Sequence, residues 1–185
     1  MEMEMDMDNV LAKILGYKNI EDYKIALRKD EQIDQVSKCL YNTEPKNWPP
    51  VKFNWDYSHK SQIFCFDGLS QSSFEELYPD GLALGRMCLN EFDQYLCHFS
   101  RRDGNELWKL GCQSKLARMI VYLSKGHPIT PPIIAPVKNN KVIFLGGHHR
   151  YAVAKAKDIK EISLYASPNH VRKISEFMNV SWDEI

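Results

Sequence analysis

The chain has 185 residues, enough for one ordinary domain with an extension but too few for two full domains. Hydrophobic residues make up 44% of it and charged residues 26%, which is typical of a folded globular protein and excludes a disordered or fibrous one. The formal net charge is zero, but residues 101–173 carry 14 Lys and Arg against 4 Asp and Glu. This basic segment either binds an anionic ligand or packs against the acidic part of the chain.

Two further features concern the compartment. No run approaches the roughly 20 apolar residues of a membrane helix, and the first residues, MEMEMDMD, are acidic where a secretory signal would be basic. The sequence therefore predicts a cytoplasmic protein with no membrane partner. The five cysteines form no C-x-x-C pair and are odd in number, so we expect reduced, mostly buried thiols.

The N-terminal third predicts weak helices followed by a linker. Residues 1–8 have neither a helical face nor a strand face and are expected to be frayed. Asn19 can cap a helix that runs through Arg28, and the apolar spacing around Val36 predicts a separate helix after it. The proline-rich stretch 42–50 indicates a loop.

The middle of the chain predicts one strand and two helices. Residues 63–66 (IFCF) are typical of a buried strand closed by an Asp-Gly turn. Ser73, followed by Glu76, forms a capping box for a short helix. Apolar residues recur at helical spacing between 82 and 99, which predicts a longer helix there.

The second half is more regular. Ser114 can cap a helix with an apolar stripe, and Gly126 can end it. Strands are predicted at 133–137 and 142–145, joined by an Asn-Asn turn, so the two form a hairpin. A helix is expected directly after the hairpin, and a third strand at 162–165 follows it.

Ser167 can cap a last helix that has a proline in its first turn. The resulting order of helix, strand, strand, helix, strand, helix predicts an α+β fold with a small mixed sheet flanked by helices. We divide the chain into a helical N-terminal extension and linker, 1–60, and the α+β domain, 61–185.

The turn between the hairpin and its following helix is Gly146-Gly147-His148-His149-Arg150. The start of a helix presents backbone N–H groups that lack acceptors within the helix, and the helix dipole favours negative charge there. Glycine lets a ligand approach the backbone closely, the two histidines can donate hydrogen bonds, and the arginine fork matches phosphate. The turn predicts a polyphosphate site, unless its glycines serve only the geometry of the chain.

The stretch 109–166 resembles the ParB/sulfiredoxin superfamily. The resemblance rests on a charged helix (SKLARMIVYLSKG), a proline-rich entry to a strand (TPPIIAPV), and a strand, turn, helix and closing strand (VIFLGGHHRYAVAKAKDIKEISLYA). It implies a compact fold whose strand-turn-helix binds nucleotide phosphates. Members include sulfiredoxin, which uses ATP, the ParB partition proteins, which bind CTP and DNA, and free serine kinases. The ligand implied is ATP, ADP or CTP, with Mg²⁺.

The family's shared turn matches Gly146, Gly147, His149 and Arg150. His148 stands where sulfiredoxin has its reacting cysteine, so sulfiredoxin activity is not expected, and the turn is closest to the free serine kinase-like branch. Replacing the arginine with alanine is expected to weaken nucleotide binding without unfolding the protein.

Two lysines upstream extend the phosphate site that the resemblance implies. Lys109 falls where sulfiredoxins have an arginine near the phosphates, and Lys115 falls where they have a lysine. Both positions are carried over by spacing across a variable loop. A solvated surface lysine is the alternative for each.

Phosphoryl transfer also needs a side chain that orients or deprotonates the acceptor. The candidate catalytic residues are Asp67, Glu106 and His148, with Glu75 and Glu76 as further carboxylates. The histidines and cysteines show no zinc-ligand spacing, so no metal held by protein ligands is predicted.

Together these features favour a nucleotide-binding protein that performs nucleotide-dependent phosphotransfer or hydrolysis. One alternative is a ParB-like regulatory module that binds DNA through the basic second half. A nuclease of the same fold is another. The last is an interaction protein that keeps the fold without the chemistry.

Overall fold

The fold is described from a computed structural model, which describes residues 7–66, 68–103 and 106–183. Helices and strands are mixed along the chain, which confirms the α+β class. Asp67, one of the predicted catalytic residues, lies outside the described residues. So does most of the predicted frayed lead, 1–6.

The N-terminal elements are two helices, α1 (Met7–Ile14) and α2 (Ile20–Lys38). The Asn19 side-chain oxygen accepts a hydrogen bond from the backbone N–H of Asp22 at 2.8 Å, so the predicted N-cap is confirmed. The prediction that this helix stops at Arg28 is wrong, because α2 continues without a break through the helix expected after it. The prediction of a frayed lead over 1–8 is wrong for its last two residues, because α1 includes Met7 and Asp8.

The segment 59–65 differs from its prediction. A buried strand was expected at 63–66, but the chain forms a 3-10 helix at His59–Cys65. Burial does not alternate along it as in a strand, because the neighbouring residues Ser61 and Gln62 are both buried. Two shorter elements precede it, a 3-10 turn at Pro45–Asn47 and the strand β1 at Asn54–Trp55.

Helix α3 (Gln71–Leu77) begins after Ser70, not at Ser73. The Ser70 hydroxyl accepts a hydrogen bond from the backbone N–H of Ser73 at 3.1 Å, so the predicted cap is itself one of the capped residues. The buried Phe74 of this helix packs in one hydrophobic cluster with Cys65 and Tyr165. Helix α3 therefore packs against the 59–65 segment through this cluster.

The helix predicted over 82–99 is wrong for its first half. The chain forms the strand β2 (Ala83–Cys88) and then the short helix α4 (Leu89–Tyr95). Burial alternates along β2, with Ala83 among the buried residues and Leu84 half-exposed. A spacing of four residues fits both a helix face and one side of a strand, which explains the misassignment.

The regular second half has the elements that the sequence predicts, namely α5 (Gln113–Ser124), β4 (Ile133–Val137), β5 (Lys141–Gly146) and α6 (His148–Ala156). It also has a two-residue strand that the sequence does not predict, β3 (Pro128–Ile129). Strands β4 and β5 pair antiparallel, and both asparagines of the turn have positive φ, so the hairpin is confirmed. The N-cap of α5 is Cys112 rather than Ser114, whose hydroxyl lies 3.0 Å from the cysteine Sγ.

The chain ends with β6 (Glu161–Ala166), α7 (Pro168–Ser175) and β7 (Ser181–Trp182). Within the described residues, the main sheet has the strand order β5-β4-β6-β2-β7. Only the β4–β6 pair is parallel there. Nearly all of β6 is buried, because helices cover both faces at the centre of the sheet.

The N-terminal elements contact the rest of the fold at several places, and the buried Trp48 packs in one hydrophobic cluster with Leu116 and Ile120 of α5. Strand β1 pairs parallel with β3, and α2 packs against α5, which in turn packs against α6. The boundary proposed between 1–60 and 61–185 stays a prediction. What matters for function is the layer of three helices, α2, α5 and α6, because a cavity lies between them.

Two properties of the whole chain complete the description. In the part of the chain that the structure describes, every helix is too short or too polar to cross a lipid bilayer. The prediction of mostly buried thiols is wrong, because Cys39, Cys88 and Cys112 are exposed and Cys97 is half-buried. Only Cys65 is fully buried, and burial raises the pKa of its thiol to about 12.

Candidate functional site

The candidate site is built around the first turn of α6. Gly147 is the N-cap, with a left-handed φ of +91°, and as a glycine it has no side chain of its own to cap the helix. This conformation favours glycine and turns the chain directly from β5 into α6. The first N–H groups of a helix have no acceptors within it, so their positive dipole end points away from the helix body.

Gly146 serves packing rather than ligand approach. A Cβ atom on this residue would lie 1.9 Å from the backbone oxygen of Cys65, so only glycine fits there. A Cβ on Gly147 would lie 2.5 Å from Cβ of Pro132. The sequence predicts that both glycines open the backbone to a phosphate. In the structure the space beside each of them is filled by the protein itself.

Arg150 is also tied to the backbone. Its Nη1 donates to the carbonyl oxygens of Thr130 at 3.1 Å and Pro131 at 3.2 Å, and its Nη2 donates to that of Phe64 at 2.7 Å. The guanidinium therefore joins the 59–65 segment to the entry of β4. The residue also lines two neighbouring cavities.

The first cavity lies between α2, α5 and the start of α6 and has a volume of about 340 Å³. This volume falls in the range of small-ligand pockets, roughly 300–1,000 Å³. Three cationic side chains and one carboxylate line it among the described residues. Its described lining is Asp30, Ile33, Lys115, Arg118, Met119, Tyr122, Gly147, His148, His149 and Arg150.

The structure brings one of the two predicted lysines to this cavity. Lys115, in the first turn of α5, lines it together with the α6 turn. Lys109 is exposed and is not among the described lining residues. Arg118, one turn further along α5, was not selected from the sequence, although it continues the same helix face as Lys115.

Helix α2 partly neutralises the cavity. Arg118 Nη2 lies 3.3 Å from a carboxylate oxygen of Asp30, and Nη1 is paired with Asp34. Ile33 of the same helix is 3% exposed and forms part of the cavity wall. Residues of the predicted N-terminal extension thus close one side of the site, which local sequence patterns did not indicate.

Both histidines of the turn line the first cavity. The His148 ring packs edge-on against Phe144, with 5.3 Å between ring centroids. Arg102 and His149 both approach Gly111 from the side on which a Cβ would stand. A Cβ built on Gly111 would lie 3.3 Å from Arg102 Nη2 and 3.6 Å from His149 Nε2. An arginine that the sequence reasoning missed therefore lies beside His149.

Arg102 is unusual because it is 9% exposed. Its Nη1 donates to the carbonyl oxygen of Arg101 at 2.9 Å, and burial lowers its pKa. Burying a guanidinium is costly unless anions or hydrogen bonds compensate. The sequence feature that points to Arg102 is the Arg101-Arg102 pair at the start of the basic segment, 101–173.

Among the described residues, the predicted carboxylates Glu75, Glu76 and Glu106 do not line the first cavity. The side chain of Glu106 accepts a hydrogen bond from the backbone N–H of Asp103 at 2.9 Å, which caps a turn. Glu75 accepts one from the Gln71 side chain within α3. Of the three residues predicted as catalytic, only His148 lines the first cavity within the described residues.

A second cavity of about 390 Å³ adjoins the first along Met119, Tyr122 and Arg150. Its other described lining residues come from the irregular segments around β1 and β3, namely Asp56, Ser61, Phe64, Pro128, Ile129 and Thr130. The carboxylate of Asp56 accepts a hydrogen bond from the backbone N–H of Ser58 at 2.9 Å. Hydrogen bonding to Ser58 lowers the pKa of Asp56, so its carboxylate is ionised at neutral pH.

Metal ligands were searched for in residues 7–66, 68–103 and 106–183. No cluster of three or more His, Cys, Asp and Glu side chains there could hold a metal ion. Comparison with known proteins adds no further constraint, because no protein-family model, curated protein or solved structure matches the chain. The function must be argued from the site itself.

Proposed function

We propose that the protein binds a nucleotide, ATP, ADP or CTP, by its phosphates in the first cavity. One observation carries the proposal: the start of α6 lines the same cavity as Lys115 and Arg118. Helix N-termini and basic side chains both favour phosphate oxygens, and their effects add in a partly enclosed space. The two histidines of the turn supply further donors.

The order of elements supports a ParB/sulfiredoxin-like interpretation of this domain. A helix, a hairpin, a glycine turn, a second helix and a closing strand follow one another as in the motifs on which the resemblance rests. In such a domain the strand-turn-helix is the phosphate-binding element. The cavity at this element is the expected location for the ligand.

Mg²⁺ would reach the site with the nucleotide. The ion keeps several water ligands and binds phosphate oxygens, so it needs few protein carboxylates. Asp30 is the one carboxylate that lines the first cavity among the described residues, and it is already paired with Arg118. Phosphate oxygens and water would therefore be the main ligands.

Nucleotide-dependent phosphotransfer or hydrolysis is the reaction class that we propose for this site. His148 is the predicted catalytic residue that lines the cavity. A carboxylate base has no comparable support, because Glu106 caps a turn instead. The proposal therefore rests first on binding, and turnover is a separate measurement.

Titration calorimetry tests binding directly. The ligands are MgATP, MgCTP and magnesium triphosphate, and the proteins are the wild type, Lys115→Ala and Lys109→Ala. Removing Lys115 is expected to weaken phosphate binding about tenfold, because a charge-assisted hydrogen bond is lost. Removing the exposed Lys109 is expected to change it less than about twofold.

Absence of binding of all three ligands to the folded wild type would overturn the proposal. Equal effects of the two lysine variants would place the ligand elsewhere. A short DNA duplex, titrated at two salt concentrations, addresses the main alternative, because phosphate contacts make DNA binding fall steeply with salt. Binding of DNA without binding of nucleotide would favour a ParB-like DNA-binding module.

A further inference from the structure

The second cavity differs from the first in its charge. Arg150 and Asp56 are its only ionised side chains among the described lining residues, so positive and negative charge balance there. The rest of the wall is mostly apolar or aromatic, including Tyr122 and the exposed ring of Phe64. A polyanion is repelled by the carboxylate, whereas a neutral group with hydroxyl donors is attracted to it.

The carboxylate of Asp56 is held in place on this wall. One of its oxygens accepts the Ser58 N–H, and Ser61 Oγ donates to the Asp56 backbone oxygen at 2.9 Å. The backbone N–H of Asp56 donates to the carbonyl oxygen of Ile129 at 2.8 Å. Three contacts therefore fix an ionised acceptor in a cavity next to the basic one.

Thr130 adds an unmet polar group to the same wall. It is 4% exposed, and its hydroxyl has no hydrogen-bond partner in the described part of the chain. Buried hydroxyls in proteins are normally paired with protein or water. Together with Asp56, this wall offers more hydrogen-bonding capacity than the protein itself uses.

We propose that the second cavity holds the nucleoside part of the ligand, with Asp56 accepting hydrogen bonds from the ribose hydroxyls. This inference rests on the proposed function, because the phosphates occupy the first cavity. The shared wall of Met119, Tyr122 and Arg150 places the two parts side by side. The base contacts the aromatic rings of Tyr122 and Phe64, which accept any base by stacking. The ligand class is thus a ribonucleoside polyphosphate rather than a simple polyphosphate.

The test compares ligands as well as variants. Calorimetry measures the affinity of MgATP, MgCTP, their 2′-deoxy forms and magnesium triphosphate for the wild type, Asp56→Asn and Asp80→Asn. Asparagine keeps the oxygen that accepts the Ser58 N–H, so this variant removes the charge and preserves the turn. Asp80 is an exposed aspartate that does not line the cavity and serves as the matched control.

The wild type is expected to bind at least one of the two ribonucleotides about tenfold more tightly than triphosphate, with its 2′-deoxy form in between. Asp56→Asn is expected to remove most of this difference and to change triphosphate binding less than about threefold. Asp80→Asn should behave as the wild type.

Equal wild-type affinity for ribonucleotides and triphosphate would overturn the inference and leave the proposed function standing. An equal loss for nucleotide and triphosphate in Asp56→Asn would overturn it as well. Failure of every ligand to bind the wild type would overturn both proposals. The comparison of ligands on the wild type needs no variant, so it decides the matter even if Asp56→Asn fails to fold.

Discussion

The two cavities share a wall but are built from different kinds of structure. Helices α2, α5 and α6 surround the first, so regularly spaced side chains set its charge. The 3-10 helix at 59–65 and the segment around β3 form most of the wall of the second, where contacts between distant carbonyls and Arg150 set the shape. The difference teaches that substituting one side chain in the helical wall of the first cavity costs little stability. The wall of the second cavity, built from the 59–65 segment and the residues around β3, depends for its shape on the few residues that hold its backbone in place.

Gly146→Ala tests the difference between the two cavity walls most directly, because it is expected to cause the largest loss of stability. Its new Cβ would meet the Cys65 backbone oxygen at 1.9 Å, and a backbone atom cannot move aside as a flexible side chain does. We expect a loss of about 3 kcal/mol or more in the free energy of unfolding, since the 59–65 segment must shift. Urea denaturation measures it.

Gly126→Ala is the control for a glycine with open space beside it. Unlike Gly146, this glycine has a positive φ, +68°, and no atom lies within 4 Å of the position of its Cβ. Only the left-handed backbone is then penalised, by about 1–2 kcal/mol. If both variants lose the same stability, the close approach of Cys65 to the turn does not restrain the second cavity.

Arg150→Ala is expected to have the next largest effect on stability. The sequence alone predicts a binding defect in an intact fold, but the structure shows that three backbone carbonyls would lose their donor. We expect the free energy of unfolding to fall by about 2 kcal/mol, because buried acceptors left unsatisfied are costly. Denaturation midpoints with and without nucleotide separate this loss from weaker binding.

Arg118→Ala tests the helical wall of the first cavity in the same way. Its partners Asp30 and Asp34 are partly exposed carboxylates, so losing these pairs should cost less than about 1 kcal/mol. A larger loss of stability for Arg118→Ala than for Arg150→Ala would reverse the distinction between the two walls.

The smallest expected effect concerns pH. The pKa of Asp56 lies below its ordinary value because the carboxylate accepts hydrogen bonds from Ser58. Its interactions are therefore fully present above the unfolded-state pKa of about 3.9 and are lost as the pH falls through the lower folded-state pKa. The preference for nucleotide over triphosphate should thus stay constant between pH 7 and pH 5. Calorimetry at both values checks this, and a marked loss at pH 5 would contradict the assignment of Asp56.

The hairpin and the turn could be predicted because their signals are local. Both asparagines adopt positive φ within a three-residue loop, since Val137 pairs with Lys141, and burial alternates along β5. Gly147 begins α6 in the expected place. These features depend on residues a few positions apart.

The second cavity could not be predicted for the opposite reason. The IFCF stretch has strand-like composition, but its carbonyls contact Gly146 and Arg150, more than 80 residues later in the chain. Asp56 follows a strand of only two residues, which gives no periodic signal. The pairing of α2 with Arg118 likewise joins residues about 85 positions apart.

The amino-acid sequence by itself determined the α+β class, the hairpin and the start of a helix behind a glycine turn, because backbone preferences and hydrophobic periodicity act over one or two turns of chain. Only the tertiary structure decided that the Cys65 carbonyl group occupies the space beside Gly146, and that Arg150 joins the 59–65 segment to the entry of β4. It also decided that helix α2 closes one side of the first cavity. Those outcomes depend on how distant segments fill space against each other, and close packing is a property of the whole fold.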